Sequence, residues 1–318
     1  MRSAARLAHS PLRTERIEHL MISRAATLAF ILRARLLVGQ TYGGWRLDSF
    51  LGAGSFGASF LGSNSRGDSA VLKLLRPNAR LDNLEREADA FQESAHNAPS
   101  SGKNVRSTFA ARRTHSATSP GNDISRMRVW TECAALQQCE GSGLMPRWHG
   151  IVNERGRYFI VLERMPGESL ASLLAKRHVF SDEEIGVIAR DTTAAVAFAH
   201  EHGIAHNDLR PANVLFDAEQ GRASLIDFGL ATFFPSSRAR TDFPASSAID
   251  RSGIADILLH ALYSRYEGPR TNASWREELS LPRAQCTCLN ALFADIPPYR
   301  SWSETRDEIA KAFPASPG

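Results

Sequence analysis

The chain has 318 residues, of which 43% are apolar and 23% charged, so it is long enough to bury a large core. This composition argues against a wholly disordered chain and against a small domain stapled by disulfides. The four cysteines form no C-x-x-C pair, and we therefore expect unpaired thiols rather than a zinc or redox centre. No uninterrupted run of about 18 apolar residues occurs, so we expect no membrane span.

The positive charge is concentrated at the start of the chain. Residues 1–46 contain eight arginines and two glutamates, a net charge of +6, and the remainder of the chain is therefore at −2 within a total of +4. We predict a basic leader over residues 1–41 that is either disordered or a targeting segment. The expected location is cytoplasmic, or mitochondrial if the leader is a transit peptide. Because no aromatic interleaving or reading module accompanies the arginines, we expect no nucleic-acid partner.

Organised sequence begins at Tyr42 with strand-like segments. Alternating apolar residues predict strands over 45–51, 58–62 and 69–75. The residues Ser-Arg-Gly-Asp at 65–68 predict a hairpin turn between the last two strands. The first part of the chain therefore begins with three antiparallel strands.

A polar stretch interrupts this first part. After a predicted short helix over 82–94, residues 95–124 hold almost nothing apolar, which predicts a disordered surface insertion. A second helix is predicted over 128–138, followed by strands over 147–153 and 157–163.

Beyond Met165 the apolar period changes from two residues to 3.6. Ser181 and Glu184 have the spacing of a capping box, which predicts the start of a helix. Gly203 predicts the end of the same helix. We therefore predict that the second part of the chain is mostly helical.

Three glycines form a G-x-G-x-x-G pattern at Gly52, Gly54 and Gly57. In a dinucleotide-binding fold these glycines would open a helix, whereas here they connect two predicted strands. Glycine backbone can fold closely over phosphates, and Lys73 on the next strand can reach them. The alternative is an ordinary glycine-rich hairpin.

A second group of residues has the chemistry of phosphoryl transfer. The segment A-H-N-D-L-R-P-A-N carries Asp208, Arg210 and Asn213, and Asp227 follows in I-D-F-G. A tight hairpin between Asn213 and Asp227 would bring these side chains together. Two carboxylates, an amide and a cation are what a magnesium nucleotide and an acceptor hydroxyl require.

These motifs, in this order, resemble the protein kinase superfamily from Tyr42 to Phe313. The resemblance implies an α+β, two-lobed protein-kinase-like fold, with a five-stranded antiparallel sheet plus one helix in the N-lobe (42–166) and a mostly helical, reduced C-lobe (167–313). Residues 314–318 would be a tail. ATP and Mg²⁺ are the implied cofactors, and they would bind between the lobes.

The resemblance also implies a role for each motif residue. Asp208 would accept or orient the proton of the acceptor hydroxyl, and Arg210 would steady the γ-phosphate. Asn213 and Asp227 would hold Mg²⁺. Lys73 would pair with the α- and β-phosphates beneath the loop formed by the three glycines.

Other family features have candidates in the chain. The acidic partner of Lys73 would be Glu132, with Glu87 as the alternative. The hinge would begin after the gatekeeper Leu162, and the backbone of Glu163 and Met165 would bind adenine. Asp250 resembles the aspartate that braces the catalytic loop.

Several positions depart from the family pattern. Asn207 replaces the arginine that follows the catalytic histidine, and Ser59 replaces a valine that packs on adenine. Asp250 lies only 23 positions after Asp227 and no A-P-E occurs between them, so the segment that docks a peptide acceptor in the family is expected to be shortened or absent. We expect a Ser/Thr protein kinase with an unidentified protein substrate; the alternatives are a pseudokinase that binds nucleotide or a partner protein, and a kinase for a small-molecule hydroxyl.

Overall fold

The computed structural model describes residues 27–53, 57–75, 130–234, 245–269, 273–294 and 298–315. The described residues form two compact units: the first contains those up to 75 and 150–162, and the second contains 130–149 and those from 163 onward. Gly54, Glu87, the predicted helix over 82–94 and the predicted insertion over 95–124 lie outside the described residues. None of the described helices combines the length and the apolar character needed to cross a membrane.

A six-stranded sheet in the order β1-β2-β3-β4-β6-β5 dominates the first unit. Its strands are β1 (Thr41–Tyr42), β2 (Trp45–Ala53), β3 (Gly57–Asn64), β4 (Ser69–Leu75), β5 (Trp148–Glu154) and β6 (Arg157–Glu163). The prediction of five strands is wrong by one, because Tyr42 pairs with Trp45 and so adds an edge strand. Two residues are too short to show the alternation by which strands are recognised.

The predicted basic leader is partly wrong as well. Residues 27–35 form a helix, α1. On its inner side Ala34 is 1% exposed and the following Leu37 is 6% exposed, and both join the core that contains Tyr42, Phe60 and Phe159. Ala34 and Leu37 were not recognised as core residues because the segment is rich in arginine. Residues 27–40 belong to the folded first unit.

The second unit is mostly helical, as predicted. Its helices are α2 (130–138), α3 (Leu170–Ala175), α4 (Asp182–Glu201), α5 (Ala245–Tyr263), α6 (Trp275–Glu278), α7 (Arg283–Phe293) and α8 (Trp302–Ala312). Its short strands are β7 (Glu168–Ser169), β8 (Ile204–Ala205), β9 (Val214–Asp217), β10 (Arg222–Leu225) and β11 (Thr232–Phe233). They form two small sheets, β10-β9-β7 and β11-β8.

Helix α2 groups with the second unit, whereas the sequence placed it with the first five strands. Hydrogen bonds explain the difference. The Leu225 amide on β10 donates to the Leu144 carbonyl at 2.8 Å, and the Arg222 guanidinium donates to the Gly143 carbonyl at 3.0 Å. The loop that follows α2 is therefore attached to β10.

Helix α4 begins at the predicted capping box. The Glu184 amide donates to Ser181 Oγ at 3.1 Å, and the Ser181 amide donates to the Glu184 carboxylate at 2.7 Å. These bonds satisfy two of the amides that every helix start leaves without a helical partner. Farther along, the Asp191 carboxylate accepts from the Ala223 amide at 2.9 Å and fixes α4 against β10.

Candidate active site

Asn213 and Asp227 lie at the open end of the hairpin formed by β9 and β10. The two strands are antiparallel, with Val214 opposite Leu225. One residue beyond this pair, the Ile226 amide donates to the Asn213 carbonyl at 2.9 Å. The hairpin that the sequence predicted therefore brings the neighbourhoods of Asn213 and Asp227 together.

Asp208 lies on the catalytic loop, which we define as residues 206–213. Its Oδ2 accepts a hydrogen bond from Asn213 Nδ2 at 2.9 Å, and its carbonyl accepts from the same nitrogen at 2.8 Å. The side chain keeps 31% of its surface exposed. Asp208 is thus a carboxylate held in one orientation but accessible to a substrate.

Arg210 is more loosely placed than Asp208. Its Nε lies 3.7 Å from Asp208 Oδ2, which is too long for a hydrogen bond, and 59% of the side chain is exposed. An exposed ion pair of this kind is screened by water and adds little stability. The guanidinium can therefore move toward a bound phosphate at small cost.

Asp250 on α5 holds the catalytic loop through hydrogen bonds. This carboxylate is fully buried on α5, and it accepts from the His206 amide at 2.8 Å, from the Asn207 amide at 2.7 Å and from His200 Nε2 at 2.7 Å. A buried carboxylate is tolerated only when its oxygens are satisfied in this way. Two consecutive amides of the loop are thereby fixed to a buried helix.

The buried His206 ring connects the loop to the residue before Asp227. Its Nδ1 accepts from the Asp208 amide, and its Nε2 donates to the Ile226 carbonyl, each at 3.2 Å. Burial lowers the pKa of His206 from its ordinary 6.5, despite the nearby carboxylates. The ring is therefore neutral, with its proton on Nε2, and it links the Asp208 amide to the Ile226 carbonyl.

The catalytic loop packs closely against α5 at Gly253. A Cβ added to Gly253 would lie 2.5 Å from the Leu209 Cβ, which is less than any side-chain contact allows. Gly253 is thus needed because the loop backbone approaches the helix here.

The residues expected to hold magnesium fit that role chemically. Asn213 Nδ2 directs its hydrogens to Asp208, which leaves the Oδ1 atom as the acceptor. Asp227 contributes a carboxylate from a backbone with φ +69°. Amide and carboxylate oxygens are ligands that Mg²⁺ prefers.

The glycine pattern and Lys73 lie in the first unit. Strands β2 and β3 pair up to Ala53 and Ala58, so the pattern is a strand-to-strand hairpin, as predicted. A Cβ on Gly57 would lie 2.1 Å from the Leu74 carbonyl, which shows that β4 approaches closely. Lys73 is half-buried on β4, directly opposite Ser59.

Glu132 and the hinge candidates Glu163 and Met165 belong to the second unit. Glu132 is only 5% exposed on α2, so it is not a solvated surface carboxylate. The Glu163 carboxylate accepts from the backbone amide of Arg147 at 3.0 Å and from Arg147 Nε at 3.1 Å. Partial burial would raise the pKa of Glu163, but the bonds from Arg147 outweigh it and hold the pKa below its ordinary value.

The Glu163 side chain is thereby occupied, and the Glu163 amide is occupied as well, since it donates to the Arg147 carbonyl at 2.8 Å. Met165, two residues on, is half-buried. Both residues line a cavity of about 270 Å³ that they share with Cys139 and Met145.

The sequence analysis did not predict the contacts of two site residues, His200 and Asn207. His200, which donates to Asp250, is 1% exposed on α4, where its position after Val196 continues the apolar face. A polar residue on such a face requires a buried partner. A histidine on the apolar face of the helix was therefore a signal that could have identified His200. The side chain of Asn207 bonds to residues that lie more than 20 positions later, and no local pattern announces such contacts.

A family model of the protein kinase domain matches residues 102–248 of the chain. The match includes the catalytic loop, Asp227 and Glu132, and it begins after the glycine pattern and Lys73. The assignment of the glycine pattern and Lys73 therefore rests on their sequence pattern and geometry alone.

Several curated proteins are similar to this chain. MAP kinase-interacting serine/threonine-protein kinase 1 of Xenopus tropicalis is 29% identical over 136 residues, which are 42% of this chain and 33% of that protein. MAP kinase-interacting serine/threonine-protein kinase 2 of Xenopus laevis is 26% identical over 169 residues, 52% of this chain and 34% of that protein. Ribosomal protein S6 kinase alpha-4 of Mus musculus is 34% identical over 111 residues, 34% of this chain and 14% of that protein. The matched segments thus span about a third or less of these relatives.

Proposed function

We propose that this chain, as a member of the protein kinase superfamily, transfers the γ-phosphate of Mg·ATP to a serine or threonine hydroxyl of a protein. The observation that carries this proposal is the orientation and accessibility of the Asp208 carboxylate. Its carboxylate is oriented by Asn213, remains accessible, and lies on a loop braced by the buried Asp250. A carboxylate preorganised in this way suits an acceptor hydroxyl.

In this mechanism Asp208 would orient the acceptor hydroxyl and take its proton as the hydroxyl oxygen bonds to the γ-phosphorus, while the bond from that phosphorus to the β,γ-bridging oxygen breaks and ADP leaves. Asn213 and Asp227 would hold the metal ion, which would neutralise charge on the phosphates. Arg210 moves onto the γ-phosphate, because its loose pairing with Asp208 costs little to break.

Further residues would hold the nucleotide itself. We infer that Lys73 pairs with the α- and β-phosphates and that Glu132 orients Lys73. The hairpin of Gly52, Gly54 and Gly57 would cover the phosphates with its backbone. Adenine would be bound by the Glu163 carbonyl, since the Glu163 amide already donates to the Arg147 carbonyl, and by the backbone of Met165.

The test separates rate from affinity. We expect Asp208→Asn to lose activity while its dissociation constant for Mg·ATP stays within about threefold of the unmodified protein, because Asp208 acts on the acceptor. Lys73→Met and Asp227→Asn should weaken Mg·ATP binding by about tenfold or more. Asp256→Asn, an exposed carboxylate on α5, is the control and should change neither quantity. Equal loss of affinity in all three site variants would contradict the assigned roles.

A small-molecule hydroxyl is the second candidate acceptor. Helix α5 begins at Ala245, only 18 residues after Asp227, and this shortness leaves little chain for a peptide-docking segment. Mass spectrometry of products formed from a cell extract and labelled ATP would decide between the two. Labelled protein that disappears with Asp208→Asn supports the protein acceptor, and labelled small molecules alone support the second.

A further inference from the structure

The side chain of Asn207 joins the catalytic loop to the segment that follows Asp227. Its Nδ2 donates to the Thr232 Oγ1 at 2.9 Å, to the Leu230 carbonyl at 3.2 Å and to the Ala205 carbonyl at 3.3 Å. We call the bonds to Leu230 and Thr232 the Asn207 clip. They cross from one loop to another, whereas the bond to Ala205 is local.

The backbone of Asn207 gives the clip a fixed base. Its amide donates to the buried Asp250 Oδ1 at 2.7 Å, and its φ is +61°. Asparagine tolerates this left-handed conformation better than most residues. The side chain therefore leaves a rigid point of the loop in a defined direction.

Asp227 lies between two anchored points of the chain. Before it, Ile226 is bonded on both sides, by its amide to the Asn213 carbonyl and by its carbonyl to His206 Nε2. After it, Leu230 and Thr232 are held by the clip, and Thr232 pairs with Ala205 in the short β11-β8 sheet. Only residues 227–229 span the gap.

We propose that Asn207 is a positioning residue for Asp227. By fixing Leu230 and Thr232, its carboxamide restricts residues 227–229 and so holds the Asp227 carboxylate in the orientation that a magnesium ion needs. The bonds of the clip are all between neutral groups, so the segment is held without any added charge. This inference deepens the proposed function and rests on it.

Hydrogen–deuterium exchange tests the clip without reference to activity. The reporters are the amides of residues 230–234 in the nucleotide-free full chain, among them the Phe234 amide that donates to the Gly203 carbonyl at 2.8 Å. Asn207→Gly keeps the backbone conformation and removes the carboxamide, and Asn207→Asp keeps the shape but removes the donor. We expect about tenfold faster exchange in both variants, as for the loss of one or two hydrogen bonds, and a smaller increase in Thr232→Val. Protection equal to that of the unmodified chain in either Asn207 variant would overturn the proposal.

Arg177→Gly is the matched control. Arg177 is an exposed residue of the same unit with φ +60°, so this substitution also places glycine in a left-handed position. Exchange of residues 230–234 should stay as in the unmodified chain. Faster exchange in this control as well would mean that glycine acts through general destabilisation, and would count against the clip.

Magnesium dependence of ATP binding tests the positioning role. The readout is the ratio of the ATP dissociation constant in EDTA to that in magnesium, measured by calorimetry. In Asn207→Gly we expect this ratio to fall at least fivefold while the constant in EDTA is unchanged, whereas a purely structural defect would weaken both. An unchanged ratio would overturn the role of Asn207. An unmodified chain that binds ATP without any magnesium dependence would instead refute the proposed function, and the exchange experiment would still decide the clip.

Discussion

At the scale of single residues, Asp250 has the largest expected effect on stability. Asp250→Ala leaves two loop amides and the His200 ring without their buried acceptor. Each such group costs about 1–3 kcal/mol, so we expect the free energy of unfolding to fall by at least about 3 kcal/mol. Urea denaturation at pH 7.5 measures it. Asp256→Ala, on the exposed face of the same helix, should stay within about 0.5 kcal/mol of the unmodified protein. A small effect for Asp250→Ala would contradict the brace.

His206 predicts how stability depends on pH. Its pKa in the folded protein lies below the ordinary 6.5, chiefly because of burial. As the pH falls below 6.5, the unfolded chain therefore binds a proton before the folded one does, and stability falls. His206→Gln removes this proton, so its free energy of unfolding should decline less steeply between pH 6.5 and 5.0, by up to about 1.4 kcal/mol per pH unit. Parallel declines in the two proteins would show that His206 is not protonated on unfolding.

At the scale of elements, the segment after α1 offers two adjacent leucines with opposite environments. Leu37 is 6% exposed in the core of the first unit, whereas Leu36 is 76% exposed. We expect Leu37→Ala to lower the free energy of unfolding by about 2–4 kcal/mol and Leu36→Ala to leave it nearly unchanged. Denaturation curves of the two variants compare them directly. Equal effects would mean that residues 27–40 are not part of the fold.

The contact between α5 and the catalytic loop gives the second prediction for an element. Alanine at position 253 would favour the helix by about 1 kcal/mol through its propensity, but its Cβ would collide with Leu209. The collision should dominate, so Gly253→Ala is expected to destabilise the protein by about 1–3 kcal/mol and to reduce ADP release. Ser252→Ala, one position earlier, should be neutral or slightly stabilising. A stabilising Gly253→Ala would contradict the close approach.

At the scale of the whole molecule, the local parts of the fold and site could be predicted from sequence. Strands β4 and β6 have the predicted bounds, and the capping box at Ser181 starts α4, because alternation and capping depend on neighbouring residues. Asp208 and Asn213 meet because the loop between them is short.

Contacts distant in sequence could not be predicted in this way. Ala34 and Leu37 occupy a segment rich in arginine, so their burial depends on strands that follow later in the chain. The bonds from Asn207 to Leu230 and Thr232 likewise require the folded loop. The attachment of α2 to the second unit depends on β10, some 80 residues away.

We propose that this chain is a working phosphotransferase whose Asp208 acts on the acceptor. The most direct measurement is ADP release from Mg·ATP by the purified full chain and by Asp208→Asn, because slow transfer to water needs no known acceptor. We expect release that depends on magnesium and falls at least about 100-fold in the variant, because the variant lacks the proton-accepting group. Release that is equal in the two proteins, or absent from both while ATP binds, would contradict it, and absence in both would favour a pseudokinase.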